Sequence, residues 1–174
     1  MELRRVLVEL KALEDAAVIS RYAIGGAVGA TAYVAAAATD DVDVFVIFRG
    51  DSATSLAPLS PIYEFLSARG AQVDGEHLVI GGWPVQILPA ANGLLEEAVA
   101  RAPEAEVSGV RTRIFSAEHL AAIALELGRA KDHTRVVQMF ESAVLDDRVF
   151  SDIVTRYGLE VKLAAFKQRF MGGV

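Results

Sequence analysis

Apolar residues at Leu3, Val6, Leu7, Leu10 and Leu13 recur at three- and four-residue spacing, so residues 2–18 read as an amphipathic helix. A short strand around Arg21–Ile24 leads into Gly25-Gly26, and a helix of small residues is expected from Ala27 to Ala37. The run Val42–Phe48 is built of strong strand formers and marks a first main strand over 41–48. Arg49–Ser55 is polar and reads as a loop. Leu59, Ile62, Tyr63, Phe65 and Leu66 then mark a helix stopped at Gly70. Strand-like runs over Val73–Ile80 and Trp83–Leu88 flank Gly81-Gly82, a hairpin signal. A short helix over Asn92–Ala100 follows, then a strand or hairpin around Ser108-Gly109 involving Val107 and Val110–Phe115. From Ser116, a plausible N-cap, the pattern is wholly helical: about 117–127, 131–143, 148–157 and 159–170, with Asp146 or Asp147 capping the third. The sum is an α+β fold, a mixed sheet flanked by helices and followed by a C-terminal helical bundle. It divides into an α/β core over 1–115 and a helical region over 116–174 packed on that core.

Composition narrows the class. With 174 residues, 53% of them apolar and 23% charged, the chain is long enough to bury a core without staples and is globular rather than disordered. It has no cysteine, which removes disulfides and thiolate metal sites and fits a reducing, cytoplasmic setting. Charges interrupt the apolar positions of the first sixteen residues, unlike a signal peptide. Tyr22–Thr39 is uncharged and contains the G-x-x-x-G pair Gly25 and Gly29. It is short, rich in Ala and Gly, and followed at once by aspartates, so a small-residue helix under a sheet explains it better than a membrane span. The net charge of −6 argues against non-specific coating of nucleic acid, though not against a local basic rim around one cleft.

The candidate chemistry lies in Tyr22–Phe48. Side chains alternate along a strand, so Asp41 and Asp43 share a face. Two neighbouring carboxylates repel unless a cation joins them. Mg²⁺ suits such a pair, completing its shell with water and phosphate oxygens. A glycine pair before a helix lets backbone approach a phosphate. Together these residues predict a site for a metal–nucleotide complex. Asp43 lies inside a run of strand formers, where an unpartnered charge is costly. Asp40 reads as a turn residue.

Ile24-Gly25-Gly26, followed by Asp41-Val42-Asp43 in a hydrophobic strand, resembles the motif of the nucleotidyltransferase superfamily that includes DNA polymerase β. The form Thr39-x-Asp41-Val42-Asp43 looks most like the small bacterial nucleotidyltransferases of toxin–antitoxin systems. Gly128-Arg129-Ala130-Lys131-Asp132 resembles the Lys-Asp signature on a later helix of that subgroup. The resemblance covers roughly residues 20–140. It implies a Mg²⁺-dependent enzyme that transfers a nucleoside monophosphate from an NTP to a hydroxyl of an RNA, a protein or a small molecule. Asp41 and Asp43 would be the catalytic metal ligands. Gly25, Gly26, Thr39, Lys131 and Gln86 would lie at the nucleotide, with a cognate toxin or antitoxin as a further partner. One departure is plain. Family members carry a third carboxylate on a neighbouring strand, and here Trp83–Pro89 offers Gln86 at that position. An amide neither takes a proton nor binds Mg²⁺ as a carboxylate does. Asp74 or Glu76 then stands in, or the chemistry runs without a third acid. The rival reading is a weakly active or inactive module that binds a nucleotide or a partner. A third is an interaction domain that dimerises through its helical end.

The other polar residues read more plainly. Gly25-Gly26 completes neither G-x-G-x-x-G nor the lysine-containing phosphate loop. His77, His119 and His133 show no metal-ligand spacing, and His119 reads as partly buried on a helix. Arg129 and Arg135 are placed to share a phosphate-neutralising role with Lys131. Trp83 reads as a core or hairpin residue, and Arg111 and Arg113 share one strand face.

Overall fold

A computed structural model describes residues 2–35, 39, 41–50 and 58–172. The elements run α1 (Leu3–Asp15), β1 (Ile19–Ile24), α2 (Gly26–Ala30), β2 (Val42–Phe48), α3 (Ser60–Ala68), β3 (Gln72–Asp74), β4 (His77–Ile80) and β5 (Trp83–Pro89). They continue as α4 (Gly93–Ala100), β6 (Glu104–Val107), β7 (Val110–Arg113), α5 (Ala117–Leu127), α6 (Ala130–Glu141), α7 (Asp147–Arg156) and α8 (Glu160–Phe170).

The fold is α+β. Five strands form one mixed sheet in the order β1-β2-β5-β4-β3, and β6-β7 is a separate hairpin. Strands β2 and β5 pair in parallel, with Asp43 opposite Gln86 and Phe45 opposite Leu88. The other pairs in both sheets are antiparallel. Strand alternation splits the sheet into two faces. Val42, Val44, Val46, Val85 and Ile87 are buried in one core with α1 and α3. The opposite face carries Asp43, Phe45, Gln86 and Leu88, which line a cavity with Leu120 and Ile123 of α5.

Helix boundaries follow local chemistry. Ser116 caps α5 by accepting a hydrogen bond from His119 N, and Asp146 caps α7 by accepting from Arg148 N and Val149 N. Asn92 caps α4 in the same way. Gly128 ends α5 at φ 65°, where a left-handed residue closes a helix without strain. The Ser108-Gly109 turn joins β6 to β7.

Two expectations fail. Among the described residues of the helix expected over 27–37, the helical part is the single turn α2, after which Ala32 N and Tyr33 N make three-residue-back turn bonds to Gly29 O and Ala30 O. Its small residues offer no broad apolar face. A Cβ on Gly29 would sit 2.9 Å from the Ile24 carbonyl oxygen, so this turn packs on β1 through bare backbone. The strand expected over 73–80 is a hairpin, because Gly75 at φ 59° reverses the chain and sets Asp74 opposite His77. Smaller shifts occur elsewhere: α1 stops at Asp15 rather than 18, and β1 starts at Ile19 rather than Arg21. Most of the polar loop 49–55, part of the alanine run 35–38 and the turn residue Asp40 lie outside the described residues. Among the described residues, no helix is long and apolar enough to cross a membrane.

The second core unites both halves of the chain. Ala23 of β1, Ala30 of α2 and Leu94, Ala98 and Val99 of α4 are buried in one cluster with Leu120 and Leu125 of α5, Val136 and Met139 of α6, Phe150 of α7 and Phe166 of α8. Phe115 N donates to Ile24 O, fixing the start of the helical half against β1.

Candidate active site

Asp41 and Asp43 stand at the start of β2, both half-buried, and line the same cleft. Val42 between them is fully buried on the other face, as the two-residue period requires. Thr39 Oγ1 donates to Asp41 O at 3.0 Å and to Asp41 Oδ1 at 3.1 Å, which orients the first carboxylate. Burial pushes the Asp43 carboxyl above the ordinary carboxylate range, and the neighbouring Asp41 pushes it the same way. Lys131, Arg129 and Arg135 oppose both effects without cancelling them. The pair is therefore short of positive charge where it stands.

The glycines explain how backbone reaches these carboxylates. Gly26 has φ 56°, and a Cβ there would lie 1.8 Å from Asp43 Oδ2. Any side chain at Gly26 would displace the carboxylate. A Cβ on Gly25 would lie 2.6 Å from Phe45 Cε2 and 3.0 Å from Phe115 Cδ2. Gly25 N also donates to Asp43 O, so β1 and β2 meet at the site itself.

The cations come from α6 and the residue that caps it. Asp132 is 1% exposed and holds Arg129 through its Nε at 2.6 Å and its second nitrogen at 3.2 Å, with Arg135 at 3.7 Å. This buried carboxylate positions two guanidinium groups facing Asp41 and Asp43. Lys131 lies between them on the exposed rim. The sequence signal for Asp132 is its spacing, with arginines three residues before and after it. That spacing reads equally well as a solvated helix start, and the positioning role went unseen.

The cleft has two chambers that share Asp41, Asp43, Arg129, Lys131 and Arg135. One, of about 480 Å³, is walled by Ala27, Ala30, Thr31, Val34 and Ala35, with Thr39, Asp74, His77, Pro84, Thr134 and Gln138. The other, of about 400 Å³, contains Gly26 and Gln86 with Asn92, and its apolar floor includes Phe45, Leu88, Phe115 and Leu120. Gln86 lies opposite Asp43 in the parallel ladder and lines the chamber that Asp43 lines. Asp74 lines the other chamber, whereas Glu76 sits in the turn beyond it. The structure thus brings together Gly26, Thr39, Asp41, Asp43, Gln86 and Lys131, with Gly25 directly behind. Among the described residues, no group of three or more His, Asp or Glu side chains is placed to hold a metal by itself. The apolar floor and Asn92 were not recognised in the sequence, because they come from β2, β5, α4, α5 and the start of the helical half.

The remaining candidates lie elsewhere. His119 is 4% exposed, more buried than expected, with Nδ1 3.0 Å from Ser116 Oγ and Nε2 3.4 Å from Glu97 Oε1. His133 packs its ring 4.7 Å from that of Phe170, among the helices. Arg113 donates to Glu14 at 2.7 Å. Trp83 opens β5, and its indole nitrogen is buried without a hydrogen-bond partner among the described residues.

No family model matches the chain, and no curated protein matches it by sequence. Solved structures do match. The crystal structure of an antigenic nucleotidyltransferase-like protein from Paracoccidioides brasiliensis matches with a TM-score of 0.61 at 14% identity, over 96% of this chain and 87% of that one. The fold is nucleotidyltransferase-like. The solution structure of the antibiotic-resistance factor ANT(2'')-Ia matches with a TM-score of 0.48 at 20% identity, over 98% and 94% of the two chains. The crystal structure of ANT(2'')-Ia with adenylyl-2''-tobramycin matches with a TM-score of 0.49 at 19% identity, over 97% and 99%. In this nucleotidyltransferase-like fold, Asp43 lies on the strand that pairs in parallel with the strand of Gln86, and Asp41 immediately precedes that strand.

Proposed function

We propose that the protein is a Mg²⁺-dependent nucleotidyltransferase that moves a nucleoside monophosphate from an NTP to a hydroxyl of an acceptor. The observation that carries this reading is the cleft around Asp41 and Asp43. Two carboxylates, one with its proton affinity raised by burial and by the other, face Arg129, Lys131 and Arg135 across a cavity large enough for a nucleotide. The residues fit a hard divalent ion shared with a substrate. Asp41 and Asp43 would supply two oxygen ligands, and phosphate oxygens and water would complete the shell of a hard divalent ion. The bound ion would neutralise triphosphate charge and polarise the α-phosphate.

The chain's own residues do the rest. Thr39 orients Asp41, and Gly26, by carrying no side chain, leaves room for the Asp43 carboxylate. Arg129 and Arg135, tethered by Asp132, and Lys131 draw the triphosphate in and stabilise the departing pyrophosphate. Gln86 hydrogen-bonds the substrate or its water but takes no proton. The cleft acids not committed to the metal or to the arginines are Asp74, on the chamber away from Gln86, and Glu126, on the chamber that holds it, and Asp74 is assigned as the acceptor of the hydroxyl proton.

The amide opposite Asp43 also favours a second reading, a nucleotide-binding protein with little or no transfer. One experiment separates the two. The protein is incubated with Mg²⁺, each α-labelled NTP in turn and a cell extract as acceptor, as wild type and as Gln86→Asp. Transfer by wild type supports the enzyme. Nucleotide binding without wild-type transfer supports the second reading, and transfer gained only by Gln86→Asp locates the defect at that amide.

A further inference from the structure

We infer that the two chambers divide the substrates. The apolar chamber takes the base and ribose of the nucleotide, and the polar chamber takes an acceptor that is a small, hydroxyl-bearing, non-anionic molecule. This rests on the proposed nucleotidyl transfer and specifies its second substrate.

The two chambers meet at Asp41, Asp43, Arg129, Lys131 and Arg135, so a triphosphate held there has one chamber on each side. Their other walls differ in kind. The first is floored by Phe45, Leu88, Phe115 and Leu120, with the amides of Gln86 and Asn92 at its edge. A nucleobase has apolar faces and a hydrogen-bonding rim, and this lining matches both. Gly26, whose missing side chain makes room for the Asp43 carboxylate, borders this chamber and not the other. The glycine turn against Asp43 therefore opens on the apolar side.

The second chamber has no aromatic lining: beside the small apolar residues Ala27, Ala30, Val34, Ala35 and Pro84 it presents hydroxyl, amide and imidazole groups of Thr31, Thr39, Thr134, Gln138 and His77. Such a wall suits a ligand with several hydroxyls. Its acid beyond the site pair is Asp74, set across the β3–β4 turn from His77. That carboxylate repels a phosphodiester chain and accepts hydrogen bonds from neutral or cationic ligands. A volume of about 480 Å³ seats one small molecule. In the reaction, the acceptor oxygen forms a bond to the α-phosphorus as the bond from that phosphorus to the bridging oxygen breaks. Pyrophosphate leaves towards Arg129, Lys131 and Arg135, and the hydroxyl proton passes to Asp74.

Two exposed positions test the division without disturbing a core: Leu127 on the rim of the apolar chamber and Thr134 on the rim of the polar one. Calorimetric titration with Mg²⁺-ATP should give a Kd raised about tenfold in Leu127→Trp and unchanged within about twofold in Thr134→Trp. α-Labelled ATP is then supplied with cell extract split into RNA, anionic small molecules and non-anionic small molecules. Label should enter the last fraction, and both Thr134→Trp and Asp74→Ala should lose at least about tenfold in transfer while keeping the wild-type Kd. The reverse pattern of Kd values, or label entering RNA or the anionic fraction, overturns the inference while leaving nucleotidyl transfer intact. A wild type that binds no Mg²⁺-nucleotide at all overturns the transfer reading itself.

Discussion

Gly26 is the most constrained single residue in the cleft, because a Cβ there would lie 1.8 Å from Asp43 Oδ2 on a backbone already at positive φ. Gly26→Ala is expected to lower stability by about 1–2 kcal/mol and to abolish Mg²⁺-ATP binding, measured by urea titration and calorimetry. Full binding with the alanine in place would mean that the position of the Asp43 carboxylate against Gly26 is not used. Asp43 itself gives a pH signature. Its carboxyl is raised above the ordinary range by burial and by Asp41, so the folded state holds that proton more tightly than the unfolded chain. Stability from this group is present below the ordinary carboxylate range and declines as pH rises through the raised value. Asp43→Asn should therefore stabilise the metal-free protein at neutral pH, and the gain should vanish in acid, as melting curves across that range will show. A gain that does not change with pH would contradict the assigned cause. The shared face of Asp41 and Asp43 and the glycine turn packed against them were legible in the sequence because a two-residue strand period and a glycine pair are local signals. The burial of Asp132 was not, since a carboxylate with arginines three residues away on either side looks the same on a solvated helix as on a buried one.

At the scale of elements, the helix caps and strand periods were readable because each rests on a few adjacent residues. The length of α2 and the Gly75 reversal were not. The first depends on close packing against Ile24, and the second on a hairpin partner strand. The tie between α4, α5 and α7 was likewise invisible from sequence. Glu97 accepts hydrogen bonds from the Arg156 guanidinium and from Tyr157 Oη at 2.7 Å, and lies 3.4 Å from His119 Nε2. The Arg156 contact, before any other, holds the Glu97 carboxyl down at about 2. This stability is present above the ordinary glutamate value and is lost as pH falls towards 2. Glu97→Gln should cost about 1–2 kcal/mol at neutral pH, a value kept low because Arg156 is partly exposed, and almost nothing near pH 2. Urea titrations at both pH values test this, and an equal loss at both would remove the charge from the explanation.

For the whole molecule, the cleft exists because two halves of the chain share one core. Asp41, Asp43 and Gln86 come from the sheet, whereas Arg129, Lys131 and Asp132 come from the start of α6. Residues of β1, α2 and α4 are buried together with those of α5 to α8. A fragment ending at Phe115 loses the partners of Ala23, Leu94, Ala98 and Val99, and is expected to lack cooperative melting and to bind no nucleotide. A cooperatively melting fragment would contradict that dependence. The α+β class and the bundle could be read from periodicity, but the way the bundle closes one wall of the cleft could not, because it depends on contacts between residues about ninety positions apart. The account rests finally on Asp43 joining a metal–nucleotide complex. Paired melting curves with and without Mg²⁺-ATP test that directly, since a ligand bound only by the folded state raises its Tm. Wild type should show a clear upward shift and Asp43→Asn none, with both melting cooperatively. An equal shift in the two proteins would contradict the claim.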